Sequence, residues 1–576
     1  MSDPTHSKPP VIVLKFGGSV LRTRADYDRC VAEAYRFRSE GSRVLAVVSA
    51  LSGETDRVLA RAAELPSGGA PFALSAIGAL PDRQSAAELA FALERSGVPA
   101  TSLSPESISL VAEGAAERAH PCSVETRRIE AAFDRDEVVV VPGFCAEDAE
   151  GRPVLLGRGG SDLTALFLAH ALRSKGHVVR CRLLKDVDGL YTHDPSAIRS
   201  EPARRYAEAT WEDARNTDGT ILQSRAIEYA ASVGFAFEVA AIQGVHASLI
   251  GAEERRLAEE EPPRPPLEVA IHGAGKVGIE VFRALRLHPD RFRVKAIVVR
   301  DASTTREGVP PELLRTDPIA VLEQSDLDLW IDASAGLEPA CAALDRASEL
   351  GVKVVTANKL AHLHAATKEV GSRATVGGSV PVLEAVRRLP KNADRVIVRG
   401  VLNGTANFVI EQIANGVSAP IAIATARALG LAERDTTADL SGEDAARKLC
   451  LIARALGLDL AVDRVHRSVI DLDQIPQHDG HETSGVRQVA TLQVVAGEID
   501  RSEGALEALT PEDPLFSVSG AGNAVSIEVV DRGSTHLQFL RGVGAGPVPT
   551  SLSVMADVWN VWRAHVSRVE REECPA

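Results

Sequence analysis

Between Leu267 and Asp301 an apolar run, Val269-Ala270-Ile271, breaks into glycines at Gly273, Gly275 and Gly278. An amphipathic run, Ile279 to Leu287, and a second apolar run, Val294 to Val299, follow. This order of strand, tight turn, helix and strand admits few folds. The first glycine allows the turn, the second lets a pyrophosphate approach the backbone, and the third lets the helix pack on the strand. The phosphates then sit at the positive helix N-terminus. With its context on both sides, the pattern predicts a dinucleotide site over Gly273, Ala274, Gly275, Lys276, Val277 and Gly278. The second strand closes on Arg300-Asp301. An acidic residue there suits the ribose 2′-OH of NAD and an arginine the 2′-phosphate of NADP. Both are present, and Arg300, coming first, favours NADP without excluding NAD.

At 576 residues the chain exceeds what one core can organise, so several domains are expected. A net charge of −15 supplies no basic stripe to track nucleic-acid phosphates. No apolar run reaches membrane-spanning length, and MSDPTHSKPP has no apolar segment of a secretion signal. The seven cysteines lie scattered without CxxC pairs, as reduced thiols of a cytoplasmic protein would. Glu253 to Pro266, EERRLAEEEPPRPP, is too charged and proline-rich to form a core and marks a domain junction. The expected organisation is a disordered tail (1–10), a first domain (11–250), a linker (251–266), a dinucleotide-binding domain (267–372) and a final catalytic domain (373–576) that returns to the cofactor domain at its C-terminal end.

In the first domain the strand Val11 to Leu14 runs into Lys15-Phe16-Gly17-Gly18-Ser19, where backbone N–H groups and one ammonium suit an anion. A helix (Arg24 to Ser39) and a strand (Arg43 to Val48) lead to a polar loop, Ser49 to Asp56. The strand Glu137 to Val141 precedes Pro142-Gly143-Phe144. Leu156-Gly157-Arg158-Gly159-Gly160-Ser161-Asp162 opens a helix to Arg173, a second anion-binding pattern. The strand Val178 to Leu184 ends in Lys185-Asp186-Val187-Asp188-Gly189-Leu190-Tyr191. Singly, each is a turn in an α/β sheet. In this order KFGGS, VVSALSGETD, VPGF, LGRGGSD and KDVDGLYTHDP resemble the amino-acid kinase family, specifically aspartate kinases, over roughly residues 10 to 245.

The resemblance implies phosphoryl transfer from Mg-ATP to aspartate, with Lys15 neutralising the transferred phosphate and Asp162 ordering the site. It implies that Ser49, Thr55, Arg158 and Ser161 hold the substrate, and that Lys15, Gly17, Gly18, Ser19, Lys185, Asp186, Asp188 and Tyr191 line the nucleotide. There are departures. The family's Gly-Glu-Arg, whose Glu grips the substrate amino group, becomes Pro81-Asp82-Arg83, so Asp82 would have to serve. The lysine of the family's GAK-x-LHP segment near the nucleotide is missing from Gly219-Thr220-Ile221-Leu222-Gln223-Ser224. A kinase fold retained as a structural or effector-binding module is the alternative. The stretch between residues 245 and 267 has no room for the family's small regulatory domains, which predicts weak feedback inhibition by threonine or lysine.

After the dinucleotide unit come a strand (Asp328 to Asp332), a helix (Pro339 to Leu350) and a strand (Val352 to Thr356) ending in Ala357-Asn358-Lys359. A lysine at the C-terminal end of a parallel strand faces the ligand crevice. His362 and His364 read as surface helix residues. In Leu429 to Lys448, LGLAERDTTADLSGEDAARK, acidic residues crowd Lys448, and Asp444 lies four residues before it on the same helix face. Such a pair can bind a polar substrate and relay a proton; it can equally be a surface ion pair. The series GAGKVG, TANK, ATVGGSVP, GVLNGTANFV and this block resembles homoserine dehydrogenases over nearly all of residues 267 to 565.

That resemblance implies reduction of aspartate semialdehyde to homoserine with NADP or NAD, on the route to threonine and methionine. Lys448 would be the acid at the aldehyde oxygen, with Lys359 beside it. Glu433, Asp444, Asn403, Gly404 and Thr405 would hold the substrate, and Thr356, Lys359 and Gly546 would join the cofactor site. It also implies at least a dimer. The family often has a Glu before A-T-V-G-G that helps hold a monovalent cation. Arg373 stands there, so the carbonyls of Val376, Gly378 and Val380 are weak candidates and little sodium or potassium dependence is expected. The fold expected overall is α/β: an amino-acid kinase-like α/β/α domain, a Rossmann domain and an α+β catalytic domain.

Overall fold

The computed structural model describes residues 8–64, 71–197, 201–217, 221–259, 265–367, 370–429, 431, 437–477 and 485–572. The chain divides into two compact units, 1–95 with 99–263, and 264–576 with 96–98.

In the first unit the fully buried strand Val11–Phe16 lies between Arg43–Val48 and Val179–Lys185, parallel to both and in continuous register. β-branched runs with no polar alternation favour this two-sided burial. Around this centre a nine-stranded sheet runs Arg256–Leu257, Tyr206–Ala209, Ala247–Ile250, Phe237–Ala241, Val179–Lys185, Val11–Phe16, Arg43–Val48, Val138–Pro142, Ala100–Ser102. Helices Asp26–Ser39, Pro71–Arg95 and Gly160–Ser174 bury their apolar sides, completing an α/β/α architecture. Residues 251–266 are not linker throughout, because Arg256–Leu257 pairs antiparallel with Tyr206–Ala209 and extends the sheet.

Two elements depart from expectation. The Ser49 to Asp56 loop is shorter than it reads, because a helix, Glu54–Ala63, starts within it after Gly53 in the left-handed region (φ 79°). Asp82 sits inside the 25-residue helix Pro71–Arg95, which continues through Pro81. Proline costs a helix interior about 3 kcal/mol when exposed. Here burial of Ala79, Ala86, Leu89, Ala90 and Leu93 offsets that cost.

The second unit carries two sheets. A six-stranded parallel sheet has the order Leu314–Arg315, Phe292–Val298, Leu267–His272, Leu329–Asp332, Lys353–Thr356, Val370–Gly371, which is the dinucleotide-binding order 3-2-1-4-5-6. A second six-stranded sheet, His466–Arg467, Glu498–Leu509, Gly485–Val495, Arg395–Val401, Gly522–Asp531, Ser534–Val543, is antiparallel apart from its first pair. Helices Val382–Arg387 and Glu443–Ala455 join its apolar face in one core. The last helix, Pro547–Glu572, returns to the parallel sheet, where Trp559 stacks edge-on against Phe292 with ring centroids 5.1 Å apart. Among the described residues no helix is long and apolar enough to cross a membrane, and the six described cysteines are unpaired.

Candidate active sites

In the first unit four of the five motif loops leave the C-terminal ends of parallel strands: Gly17 after Phe16, Ser49 after Val48, Gly143 after Pro142, and Asp186 after Lys185; the fifth, Leu156 to Asp162, follows the antiparallel strand Pro153–Leu155. Ligands of open α/β sheets bind at that edge. Lys15 turns back over the loop it precedes. A Cβ on Gly17 would lie 2.5 Å from Lys15 Nζ, so glycine there makes room for the ammonium. Gly159, at φ 74°, caps the helix Gly160–Ser174 and delivers Ser161 and Asp162 into its first turn. Gly143 is pressed against Ser161 so closely that a Cβ would overlap it.

These elements converge on one buried carboxylate. Asp162 Oδ1 lies 2.6 Å from Lys15 Nζ and Oδ2 accepts from Lys185 Nζ at 3.0 Å, with all three side chains nearly inaccessible. The paired ammoniums outweigh burial and pull Asp162 down to about 2, whereas burial lowers Lys15. Asp82 is close enough to act electrostatically on Lys15, and burial pushes its carboxyl up to about 8. Its Oδ1 has no hydrogen-bond partner in the structure.

Several of the other predicted kinase residues have partners or positions of their own outside this cluster. Asp186 pairs with Arg22 at 3.1 Å on the surface, and Tyr191 Oη donates to Asp188 at 2.7 Å. Arg158 is exposed, Thr55 lies in the first turn of Glu54–Ala63, and Ser49 and Ser19 are half-buried. Gly18 lies in the turn after Gly17. Of the segment carrying the lysine departure, 218–220 lie outside the described residues.

In the second unit the glycines meet the steric demands of a cofactor turn. A Cβ on Gly278 would collide with the Gly273 carbonyl, and one on Gly273 would lie 2.6 Å from the Ala333 carbonyl. At Gly275 a Cβ would meet nothing within 4 Å. Open space above Gly275, the N-cap of the helix Lys276–Arg286, fits a pyrophosphate on that helix end. Ala274, Lys276 and Val277 belong to the same turn. Asp301 is turned inward on its own loop, accepting from Ser303 N at 2.9 Å, Ser303 Oγ at 2.6 Å and Thr304 Oγ1 at 2.8 Å; these bonds hold it at about 2. Arg300 beside it is exposed.

A polar network at the ends of the neighbouring strands was not anticipated. Asp332, fully buried, accepts from Ser334 Oγ at 2.6 Å and Thr356 Oγ1 at 3.0 Å, and His272 Nδ1 lies 3.7 Å away. Burial raises Asp332 and lowers His272. Thr356 Oγ1 also accepts from Asn358 N, and Asn358 caps the helix Lys359–His364 through Ala361 N. This network sets Lys359 at the first helical position. His362 is buried rather than a surface residue: it follows Ala361 on the covered side of that helix, where burial lowers it to about 4. His364 is exposed.

Asp444 is the centre of the second cluster. Its Oδ2 lies 2.6 Å from Lys448 Nζ, its Oδ1 accepts from Lys359 Nζ at 2.5 Å, and Asn403 Nδ2 donates to Oδ2 at 3.2 Å. Asn403 is the N-cap of the helix Gly404–Ala414 and bonds Asp439 at 2.9 Å. Lys448 Nζ also donates to the Leu402 carbonyl, which Asn523 Nδ2 approaches at 3.0 Å. Burial holds Lys448 below its ordinary range despite Asp444, while Asp444 and Asp439 raise Lys359. The two ammoniums hold Asp444 well below the usual carboxylate range.

Gly404 packs against Ala521, and Thr405 Oγ1 donates to Leu431 O at 2.7 Å. Gly546, at φ 118°, precedes the final helix. Glu433 lies outside the described residues. Asp439 was visible only as a member of a motif, and the contacts of Asp439 and Asn523 with the cluster come from the fold.

At the expected cation position, Arg373 Nε lies 3.2 Å from both Glu384 and Asp557, all three buried. Gly378 O accepts from Ser553 at 2.6 Å and Val380 O from Val382 N at 2.8 Å. Val376 is buried beside them.

Family models match three parts of the chain: the amino acid kinase family over residues 10–233, the homoserine dehydrogenase NAD binding domain over 273–379, and homoserine dehydrogenase over 381–559. A homoserine dehydrogenase of Corynebacterium glutamicum is 32% identical over 324 residues, 51% of this chain and 72% of that protein. An aspartate kinase of Stutzerimonas stutzeri is 34% identical over 223 residues, 38% of this chain; the match spans 53% of that protein, about half its length. The solved homoserine dehydrogenase of Thiobacillus denitrificans is 26% identical over 54% of this chain and 76% of its own, with a TM-score of 0.47.

Proposed function

The chain belongs to the homoserine dehydrogenase family, and from that premise we propose that its second unit reduces L-aspartate 4-semialdehyde to L-homoserine with NADPH, while its first phosphorylates L-aspartate with Mg-ATP. The observation that carries the first activity is Asp444, a buried carboxylate held between two lysines from different elements, in the unit that bears the glycine turn. A bound nicotinamide supplies or accepts the hydride.

The chain's own groups do the rest. Lys448 Nζ donates the proton that the carbonyl oxygen needs as it becomes an alkoxide, and takes it back in oxidation. Burial brings an ammonium's proton release nearer neutrality, as acid–base work at such pH requires. Asp444 keeps Lys448 charged, and Asn403 and Lys359 fix the orientation of Asp444. Gly404 and Thr405 complete the substrate pocket, Thr356 and Gly546 complete the cofactor site, and Glu433 is proposed to bind the substrate by the resemblance alone. NADP is favoured over NAD because Asp301 spends its acceptor capacity within its own loop, leaving Arg300 for a 2′-phosphate.

In the first unit Lys15 and Asp162 serve phosphoryl transfer, Asp82 takes the substrate amino group, and Ser49, Thr55, Arg158 and Ser161 hold its carboxylates. The buried charge cluster at the sheet's C-terminal edge supports this over a purely structural domain. Association into at least a dimer belongs to the same proposal.

Two assays on the whole chain test it: homoserine-dependent reduction of NADP, and hydroxylamine trapping of the acyl phosphate formed from Mg-ATP and aspartate. Oxidation of aspartate but not homoserine would overturn the dehydrogenase reading. Absence of hydroxamate would leave the first unit a binding or structural module.

A further inference from the structure

The buried cluster at Asp162 is not charge-balanced. Lys15 and Lys185 both reach one carboxylate. Asp82, the other acidic group acting on Lys15, is pushed by burial to about 8 and so is mostly neutral near pH 7. With both lysines as ammoniums, one net positive charge is left in a site from which water is nearly excluded, and burial lowers Lys15 for that reason. Such a charge is strongly unfavourable unless an anion joins it.

The backbone aims that charge. Lys15 and Leu183 are register partners on adjacent parallel strands, so Lys185, two residues on, projects from the same face as Lys15. Both ammoniums therefore stand on one face at the C-terminal edge, beside the Gly17 turn and the N-terminus of Gly160–Ser174. The lysine of the GAK-x-LHP pattern is absent from residues 219–224.

We propose that Lys185 is a second catalytic lysine, which with Lys15 grips the phosphoryl group in transit and takes the place of the lysine missing from the 219–224 segment. This rests on the kinase reading above. In the step, a side-chain carboxylate oxygen of aspartate forms a bond to the γ-phosphorus, and the bond from that phosphorus to the β,γ-bridging oxygen breaks. Its electron pair leaves on ADP. No proton is transferred: both lysines stay ammoniums and neutralise the oxygens of the loose transition state. Asp162 holds the two ammoniums apart and in place.

Lys185→Met and Lys185→Arg in the full chain test this, with hydroxamate formation measured beside calorimetric binding of Mg-ADP and of a non-hydrolysable Mg-ATP analogue. The expected result is that Lys185→Met binds Mg-ADP as the parent does, loses the extra affinity conferred by the γ-phosphate, and forms hydroxamate roughly 100-fold more slowly. Lys185→Arg should recover part of both. A Lys185→Met chain whose rate and γ-phosphate preference stay within a few-fold of the parent overturns the role of Lys185 and leaves the kinase reading standing. A parent chain that makes no hydroxamate and binds the two nucleotides equally overturns both. Loss of Mg-ADP binding together with a collapsed circular dichroism spectrum in Lys185→Met, not repaired in Lys185→Arg, would assign Lys185 a structural role instead.

Discussion

Replacing Asp444 by Asn keeps the shape of the dehydrogenase cluster and removes its one strong negative charge. Lys448 then loses a partner at 2.6 Å and Lys359 one at 2.5 Å, so two ammoniums face each other across a neutral amide. At an effective dielectric of about 20, one unit-charge pair at this separation is worth at most about 6 kcal/mol. Lys359 is about a third exposed and will be screened, but Lys448 is not. If half of the Lys448 attraction is realised, about 3 kcal/mol, the Lys448 pKa falls by roughly two units, since one unit is about 1.4 kcal/mol. The sign follows from the chemistry. Aldehyde reduction needs the protonated lysine, so the rate declines as pH rises through the Lys448 pKa. In Asp444→Asn that decline begins about two pH units lower, so kcat drops by up to roughly 100-fold at alkaline pH, above both pKa values, and by less at neutral pH. The assay is the pH profile of kcat for NADPH-dependent semialdehyde reduction, with the melting temperature as a control on folding. A variant slowed a hundredfold with its alkaline limb unmoved would refute the assignment of Lys448 as the acid coupled to Asp444.

Asp82→Asn should abolish or strongly weaken aspartate binding yet stabilise the first unit. A carboxyl raised to about 8 when folded costs stability progressively as pH climbs from about 4 to 8, so the gain in melting temperature should be large at pH 8 and absent at pH 4. Arg300→Ala should raise KM for NADPH by roughly tenfold, leave KM for NADH nearly unchanged, and alter kcat little; equal effects on both cofactors would count against a 2′-phosphate contact. Sodium or potassium should change dehydrogenase activity by less than about twofold, because the Arg373 guanidinium already stands between Glu384 and Asp557. Arg373→Ala should instead destabilise the second unit by about 3 kcal/mol, read in a denaturant titration, since it removes the guanidinium shared by two buried carboxylates and, among the described residues, leaves Asp557 only a backbone N–H and Glu384 only the part-exposed Arg387.

What the sequence disclosed and what it withheld separate along a physical line. Apolar runs such as Val11 to Leu14 and Val269 to Ile271 became buried parallel strands, and the glycine patterns became turns at their C-terminal ends, because these signals are local. The Asp444–Lys448 pair was legible for the same reason, its spacing being one helical turn. The partner that makes the pair a site, Lys359, lies 85 residues away on another helix. Its placement depends on Asn358, Thr356 and Asp332, a network no spacing rule encodes. Pro81-Asp82-Arg83 was read only as a motif, and its place inside the helix Pro71–Arg95 comes from the fold. His362 seemed an exposed helix residue because the pattern alone could not show which side its short helix would cover.

The two units reach a similar electrostatic arrangement by unrelated routes. In one, Asp162 starts a helix and meets lysines from adjacent parallel strands; in the other, Asp444 starts a helix and meets a lysine one turn on and another at the head of a second helix. Each leaves a carboxylate ionised between two ammoniums, with burial lowering one lysine of the pair: Lys15 in the first and Lys448 in the second. Such a cluster is costly to build, because every member is removed from water. On the proposed roles, its cost is recovered when negative charge develops at the ammoniums: on phosphoryl oxygens in one unit, and on a carbonyl oxygen becoming an alkoxide in the other. In both the carboxylate, by remaining ionised, holds the lysines charged and in place until that charge appears. The same charge removal should therefore act differently in the two units. Asp444→Asn should move a pH limb, because Lys448 gives up its proton. Asp162→Asn should lower the phosphoryl-transfer rate without introducing a new limb near neutrality, because there the lysines keep theirs.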